Sequence, residues 1–352
     1  MSRYAPTTPV LSGLRVPVVQ APMAGGPSTP QLAAAVNRGG GLGFLAAGYL
    51  NPLRLEQDMA TLRSLDDRAF GVNVFVGGGS AGDEDSIEAY ARRLTPDAER
   101  VGVRLGEPRF DDDAFQEKIE MLSLDPAAVV SFTFGAPPRE SIEALHAVGS
   151  EIWLTVTSPS EATVAAEIGA DALIIQGVEA GGHRGVFIDD DAQSDLTLLA
   201  ALQLVRAATD LPLIAAGAIM TGAALGAVLV AGASAGQIGT AFICSVEAGT
   251  SPVQREATAT DRATVLTRAF SGRLARGIRN RWHDEHDAYA PHAYPEIHHL
   301  TAPLRAHGRE VGDPDLINLW AGQAHQLARQ QSAEAITANL GSQARAAISA
   351  CA

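Results

Sequence analysis

A closed (β/α)8 barrel, the TIM-barrel class of α/β fold, is what the sequence predicts, on three observations. Eight short apolar runs recur along the first 242 residues, segments of helical periodicity separate most of them, and no dinucleotide-binding fingerprint follows the first run. Continuously apolar runs belong where a parallel sheet is covered on both faces, and eight such units match a closed barrel. A doubly wound open sheet is the competing arrangement, and it normally carries G-x-G-x-x-G after its first strand. Here the first strand leads into "APMAGGPSTP", and the triple glycine of "NRGGGLGF" precedes a strand instead of following one.

In chain order the strands are expected at "VPVVQAPM" (16–23), "LGFLAAG" (42–48), "FGVNVFV" (70–76), "VVSFTFG" (129–135), "EIWLTVT" (151–157), "ALIIQGV" (172–178), "PLIAAGAI" (212–219) and "GQIGTAF" (236–242). The helices between them include "STPQLAAAVNRG", with Ser28 as its expected N-cap, "SPSEATVAAEIGA", opened by Ser158 and Pro159, and "TGAALGAVLVAGA". The barrel is thus assigned to residues 1–242, with an insertion at 77–128 that begins with the glycine-rich, acidic "GGGSAGDEDS". Residues 243–312 follow the last strand and are expected as a substrate-side cap. Strand-to-helix connections emerge at the C-terminal face of a barrel, so insertion and cap belong over one mouth. Residues 313–352 are expected as helices packing back on the barrel, on the helical spacing of Leu316, Leu319, Trp320 and Leu327. The architecture is therefore a barrel with an inserted segment and a mainly helical C-terminal cap.

Composition narrows the function. The formal net charge of −14 argues against a nucleic-acid footprint, which needs a clustered basic face. No window is apolar for long enough to cross a membrane, and the N-terminus lacks the pattern of a secretory or transit signal, so a cytoplasmic protein is expected. The two cysteines, Cys244 and Cys351, have neither disulfide nor metal-ligand spacing. Lys118, the only lysine, is expected on the polar side of an amphipathic helix, which speaks against a Schiff base.

In a barrel the C-terminal strand ends carry chemistry while the strand bodies pack. Gly217 and Ala218 end the seventh strand, and Gly239 and Thr240 lie near the end of the eighth, where backbone N–H groups often receive phosphate. The same glycines also suit tight turns. Asn73 and Gln176 are amides on otherwise apolar strands; each can donate and accept, as the edge of a flavin ring requires, or can be satisfied inside the core. In "VEAGGHRG", Gly181 and Gly182 let the chain turn sharply and present His183 at the mouth, where an imidazole can take or give a proton.

The histidines of "RWHDEHDAYAPHAYPEIHHL" raise the question of a metal. H-E-x-x-H is absent and two prolines interrupt the segment, so no metal is assigned. A hydrolase finds no G-x-S-x-G elbow.

The set "QAPMAGG", "GVNVF", "QGVEAGGHRG", "AAGAI" and "QIGTAF", in this order, resembles the nitronate monooxygenases, formerly called 2-nitropropane dioxygenases. "SGRLARGIRNR", "AYPEIHHLTAPLR" and "LWAGQ" extend the resemblance to the class I branch over nearly the whole chain. The resemblance implies FMN held without a covalent bond. Ala21, Pro22 and Met23 would border its ring system, and Asn73 and Gln176 would hold polar edges. Gly181 would approach the cofactor, and Gly217, Gln237, Gly239 and Thr240 would surround its phosphate. His183 would be the catalytic base or substrate-orienting group. The implied reaction is oxidative denitrification of a small anionic alkyl nitronate, such as propionate 3-nitronate: the substrate gives one electron to FMN, and O2 takes part in forming a carbonyl product and nitrite. Two features depart from the pattern: related flavin barrels often place a lysine near the flavin, and His298 and His299 stand in a stretch expected on the substrate side. An NAD(P)H-dependent FMN quinone or enoyl-thioester reductase is the alternative enzyme, and a non-catalytic flavin-binding protein the alternative outside enzymes.

Overall fold

The apolar runs become strands at all eight places. They are β1 (Val18–Gln20), β2 (Gly43–Ala46), β3 (Phe70–Phe75), β4 (Val129–Thr133), β5 (Glu151–Val156), β6 (Ala172–Gln176) and, after a two-residue strand β7 (Gly182–His183) that belongs elsewhere, β8 (Leu213–Ala216) and β9 (Ala235–Ile238). The computed structural model describes residues 6–77, 82–190 and 195–351; the glycine-rich start of the insertion, 78–81, lies outside the described residues.

All eight pair in parallel in the order β1-β9-β8-β6-β5-β4-β3-β2. The ring closes because the Leu42 N–H donates to Val18 O and the Gln20 N–H donates to Leu42 O, both at 2.9 Å. Side chains alternate across this wall, as strand geometry requires. Ile152, Leu154 and Val156 of β5 join the apolar layer beneath the helices, whereas Trp153 points into the barrel and meets Phe44 at 5.9 Å between ring centroids. The short helix Pro9–Ser12 adds Leu11 to that interior layer. Its Val10 N–H donates to Glu151, whose other carboxylate oxygen accepts from the Trp153 indole. At the helix Pro30–Gly39 the cap is Thr29, not Ser28: Thr29 accepts from the Leu32 N–H, while the Ser28 hydroxyl oxygen accepts from Met23 and Gln20.

The chain between β3 and β4 divides its allegiance. Its first helix, Glu84–Arg100, sends Ile87, Tyr90 and Leu94 into a second apolar cluster with Phe270, Trp282, Ile297 and Leu304. Its second, Phe115–Leu124, lies on the barrel wall and buries Ile119 and Leu122 there. Lys118 of that helix is fully buried, contrary to the expected polar face, because Asp113 stands 2.7 Å from its ammonium.

Beyond β9 the chain builds an antiparallel sheet from β10 (Thr264–Thr267) and β11 (Ala275–Ile278), with β7 as its third strand. Helix Glu296–Val311 follows. Residues 313–331 do not form the expected helix. Pro314 and Gly322 interrupt the segment, and its apolar residues serve different neighbours: Leu316 the second cluster, Leu319 a small cluster beside β11, and Trp320 a bridge to Gly277. The terminal helix is Ala333–Cys351, packed on the helices Gly222–Val230 and Pro30–Gly39. No helix of the described residues is long and apolar enough to cross a membrane.

The two glycines before His183 have separate duties. Gly182 has φ 78°, a left-handed conformation that turns the chain into β7, and the Arg184 N–H donates to Leu274 O across the cap sheet. A Cβ on Gly181 would stand 2.5 Å from the backbone of Ala321 and Gly322, so the cap presses directly on this residue. Gly181→Ala is therefore expected to cost about 1–3 kcal/mol through overpacking. A urea midpoint unchanged from that of the parent protein would show that the cap yields without cost.

Candidate active site

The strand ends converge on one cavity of about 420 Å³ at the C-terminal face of the barrel. Ala21, Pro22, Met23, Asn73, Gln176, Gly181, His183, Gly217, Gln237, Gly239 and Thr240 all line it, so every candidate from the sequence reaches the same space. The volume falls within the range of small-molecule and cofactor sites.

Hydrogen bonding shows what each amide has left to offer. Asn73 commits Nδ2 to Ser131 O, Ser131 Oγ and Thr133 Oγ1 at 3.0–3.2 Å, which leaves its oxygen for the cavity. Gln176 is more fully engaged. Its Oε1 accepts from the Gly185 N–H (2.8 Å) and from Arg184 (3.0 Å), and its Nε2 donates to His183 O (2.9 Å). Gln176 therefore holds the backbone on both sides of Arg184 and has one N–H to spare. Gln237 is the opposite case: it is buried and its Nε2 has no hydrogen-bond partner. A buried orphan donor costs about 1–3 kcal/mol, so it calls for an acceptor in the cavity. Thr240 accepts from the Gly322 N–H at 3.0 Å and keeps its own hydroxyl proton for a further partner.

His183 is held by its ring as well as by its backbone. Ser271 Oγ donates its one proton to Arg273 O (3.2 Å), so toward His183 Nε2, 2.8 Å away, it accepts. The imidazole is thereby fixed as the Nε2–H tautomer, and Nδ1 keeps the lone pair. Phe134, Tyr294 and Trp320 surround the ring with centroids 5.4–5.8 Å away. Burial, then the charges of Arg273 and Arg305, push its pKa down to about 3, so the ring is neutral at physiological pH.

The cap supplies Ala302, Arg305 and Arg309, which the sequence reading missed, beside His298, whose stretch was expected on the substrate side. His298, Ala302, Arg305 and Arg309 line the cavity from one face of the helix Glu296–Val311, and their spacing of four, three and four residues was visible in the sequence as a helical stripe. Arg305 donates to Thr301 Oγ1, His298 O and His298 Nδ1, and among the described residues no carboxylate pairs with it. Burial lowers its pKa to about 10, which still leaves it cationic. Because Arg305 only donates, His298 Nδ1 is an acceptor and its proton lies on Nε2. Burial and Arg305 hold the His298 pKa well below the usual histidine value. His299 turns away, toward Asp111 at 3.6 Å.

The other histidines of that segment do not converge. His283 lies beside Asp284 and Asp287, and His286 beside Asp97. Asp97, Glu285 and His286 are the one group of the described residues with metal-ligand proximity, but Arg281 and Arg100 already pair with the carboxylates.

The family model described as nitronate monooxygenase matches residues 9–342. The chain belongs to the nitronate monooxygenase family. A probable nitronate monooxygenase of Staphylococcus aureus (strain Newman) is 38% identical over 337 residues, covering 93% of this chain and 94% of that protein. Among solved structures, nitroalkane oxidase from Streptomyces ansochromogenes superposes with a TM-score of 0.95 at 44% identity, over 98% of this chain and 100% of that one. FabK from Thermotoga maritima superposes with a TM-score of 0.76 at 25% identity, over 97% and 96% of the two chains. A nitronate monooxygenase family member is an enzyme and an oxidoreductase, and its substrate is a small molecule.

Proposed function

We propose that this member of the family is an FMN-dependent nitronate monooxygenase that oxidises small alkyl nitronates, such as propionate 3-nitronate, with O2 to a carbonyl product and nitrite. The observation that carries the substrate assignment is Arg305, a buried guanidinium in the cavity without a carboxylate among the described residues. A buried cation of this kind calls for an anion.

The residues present fit a flavin phosphate and ring. The orphaned Gln237 Nε2 and the free Thr240 proton are donors without acceptors of their own, and they lie with Gly217 and Gly239 around one end of the cavity. Asn73 Oδ1 offers an acceptor to a ring N–H, and Ala21, Pro22 and Met23 supply an apolar border. Gln176 and Gly181 act less directly than the sequence suggested: Gln176 positions the loop bearing His183, and Gly181 admits the cap. When bound, FMN supplies the electron acceptor for the oxidation and the route to O2. Arg305 and His298 then hold the nitronate oxygens, Ser271 keeps the lone pair of His183 on Nδ1, and the surrounding aromatic rings exclude water. With a neutral nitroalkane, His183 Nδ1 takes the α-proton.

Two measurements test the assignment. Chromatography of the cofactor released on denaturation is expected to give FMN, and stoichiometric FAD would overturn it. Aerobic nitrite release from propionate 3-nitronate, set against anaerobic flavin reduction by NADH and NADPH, separates the monooxygenase from a reductase and from a non-catalytic flavin-binding protein. A third expectation concerns Gly239, where a Cβ would stand 3.3 Å from Ala21 Cβ and 3.9 Å from Met23 Sδ. Gly239→Val should narrow this end of the cavity and lower flavin content while circular dichroism stays unchanged. Full occupancy would reduce Gly239 to a turn residue.

A further inference from the structure

Lysine and arginine together number 26 in this chain, and Lys118 alone is lysine. It lies on the outer wall of the barrel, in the helix Phe115–Leu124, yet its side chain has no exposure. Its ammonium faces Asp113 Oδ2 at 2.7 Å, and neither atom makes a hydrogen bond elsewhere among the described residues. The other oxygen, Asp113 Oδ1, accepts from the Tyr49 N–H at 2.8 Å. Tyr49, Asp113 and Ala114 have φ of 67°, 60° and 50°, three side-chain-bearing residues in the left-handed region at one contact. Such conformations persist only where the surroundings impose them, and they gather at functional sites.

Beyond this tie the Tyr49 ring enters the cavity. It stacks on His298 with centroids 4.2 Å apart and planes 8° from parallel, and its hydroxyl accepts from the Tyr294 hydroxyl at 3.2 Å. Phe75 meets it edge-on at 5.5 Å. Tyr49 is thus a barrel residue that meets both His298 and Tyr294 of the cap, while Phe134 meets Tyr294 alone.

We propose that Asp113, with its charge offset by Lys118, is a positioning residue for the substrate end of the cavity: it holds Tyr49 in the left-handed backbone that seats His298 and Tyr294. A compact ammonium suits the closed space beneath Asp113, where the planar fork of a guanidinium would need more room. Burial raises the Asp113 pKa and Lys118 opposes that shift, so the lysine keeps the carboxylate in its accepting form. The kinetic part of this inference rests on the nitronate reading; the structural part does not.

Removing one partner alone would leave a buried charge and could unfold the chain, so the test compares two variants that are both neutral. Lys118→Met/Asp113→Asn keeps an oxygen for the Tyr49 N–H, and Lys118→Met/Asp113→Leu does not. The asparagine variant should match the parent protein in KM for ethyl nitronate. The leucine variant should show a KM raised about tenfold, of the order of one lost hydrogen bond, with kcat and flavin content unchanged. Its crystal structure should show Tyr49 out of the left-handed region and off His298. Equal KM values in the two variants with Tyr49 unmoved would overturn the proposal, as would a loss confined to kcat or to flavin content. If the parent protein turned over no nitronate, the nitronate reading would fail, and the Tyr49 position in the two crystals would still decide this one.

Discussion

Replacing His183 with asparagine should lower turnover of neutral nitroethane by about 10²- to 10⁴-fold, the usual worth of a general base. Preformed ethyl nitronate, which has already lost the proton in question, should lose far less. The low pKa of the imidazole does not count against this role. Burial and two guanidinium groups hold it near 3, and the negative charge that develops on the nitro group during proton transfer would offset those same guanidinium groups. The sign also fixes the pH dependence. A depressed pKa keeps the ring unprotonated, so kcat/KM for nitroethane should stay level through the region near pH 6.5 where an ordinary histidine becomes charged. Equal losses on both substrates with FMN retained would assign His183 to binding, and an acid limb near pH 6.5 would contradict the described electrostatics.

Arg305→Met should raise KM for ethyl nitronate by about 10- to 100-fold, the worth of roughly 1.5–3 kcal/mol for a hydrogen bond to a charged group. Arg305→Lys should recover only part of this, because an ammonium cannot reproduce the planar fork that also reaches His298 and Thr301. A second readout separates binding from general damage. Arg305 is one of the cations depressing the His183 pKa, so its removal should move the acid limb of the nitroethane profile toward the ordinary histidine value. The movement should be partial, since burial is the larger cause. A KM unchanged in Arg305→Met would remove the main support for an anionic substrate.

The barrel was legible because a parallel strand covered on both faces needs a predominantly apolar run, and the sequence repeats one eight times. The strand ends were legible for the complementary reason: Asn73 and Gln176 are polar where packing alone would favour aliphatic residues, whereas Gln237 was reached only through the family resemblance. What escaped notice depended on distant partners. Strand β7 is two residues long, too short to show any periodicity, and exists because Ala275 and Arg276 pair with it. Leu316, Leu319 and Trp320 mimic a helical face, yet they serve different neighbours. Lys118 reads as solvent-facing although its partner Asp113 is only five residues earlier, because the packing that buries the pair against the barrel wall comes from distant strands. The stripe through Ala302, Arg305 and Arg309 was available to inspection, but which side of that helix faced the cavity was set by Trp282 and Leu316 packing behind it.

The membership of His183 in the cap sheet has a consequence for its proposed role. Its backbone pairs with Ala275, and its neighbour Arg184 is hydrogen-bonded to Leu274, so the imidazole is fastened to the roof as firmly as to the barrel loop beneath. A roof that swung upward as a rigid body to admit substrate would carry the imidazole off its station and break the Gln176 bond to His183 O. An open enzyme of this design is also a disarmed one. On the proposed role of His183 as base, proton abstraction would then require the roof in the position described, with β7 paired to β11.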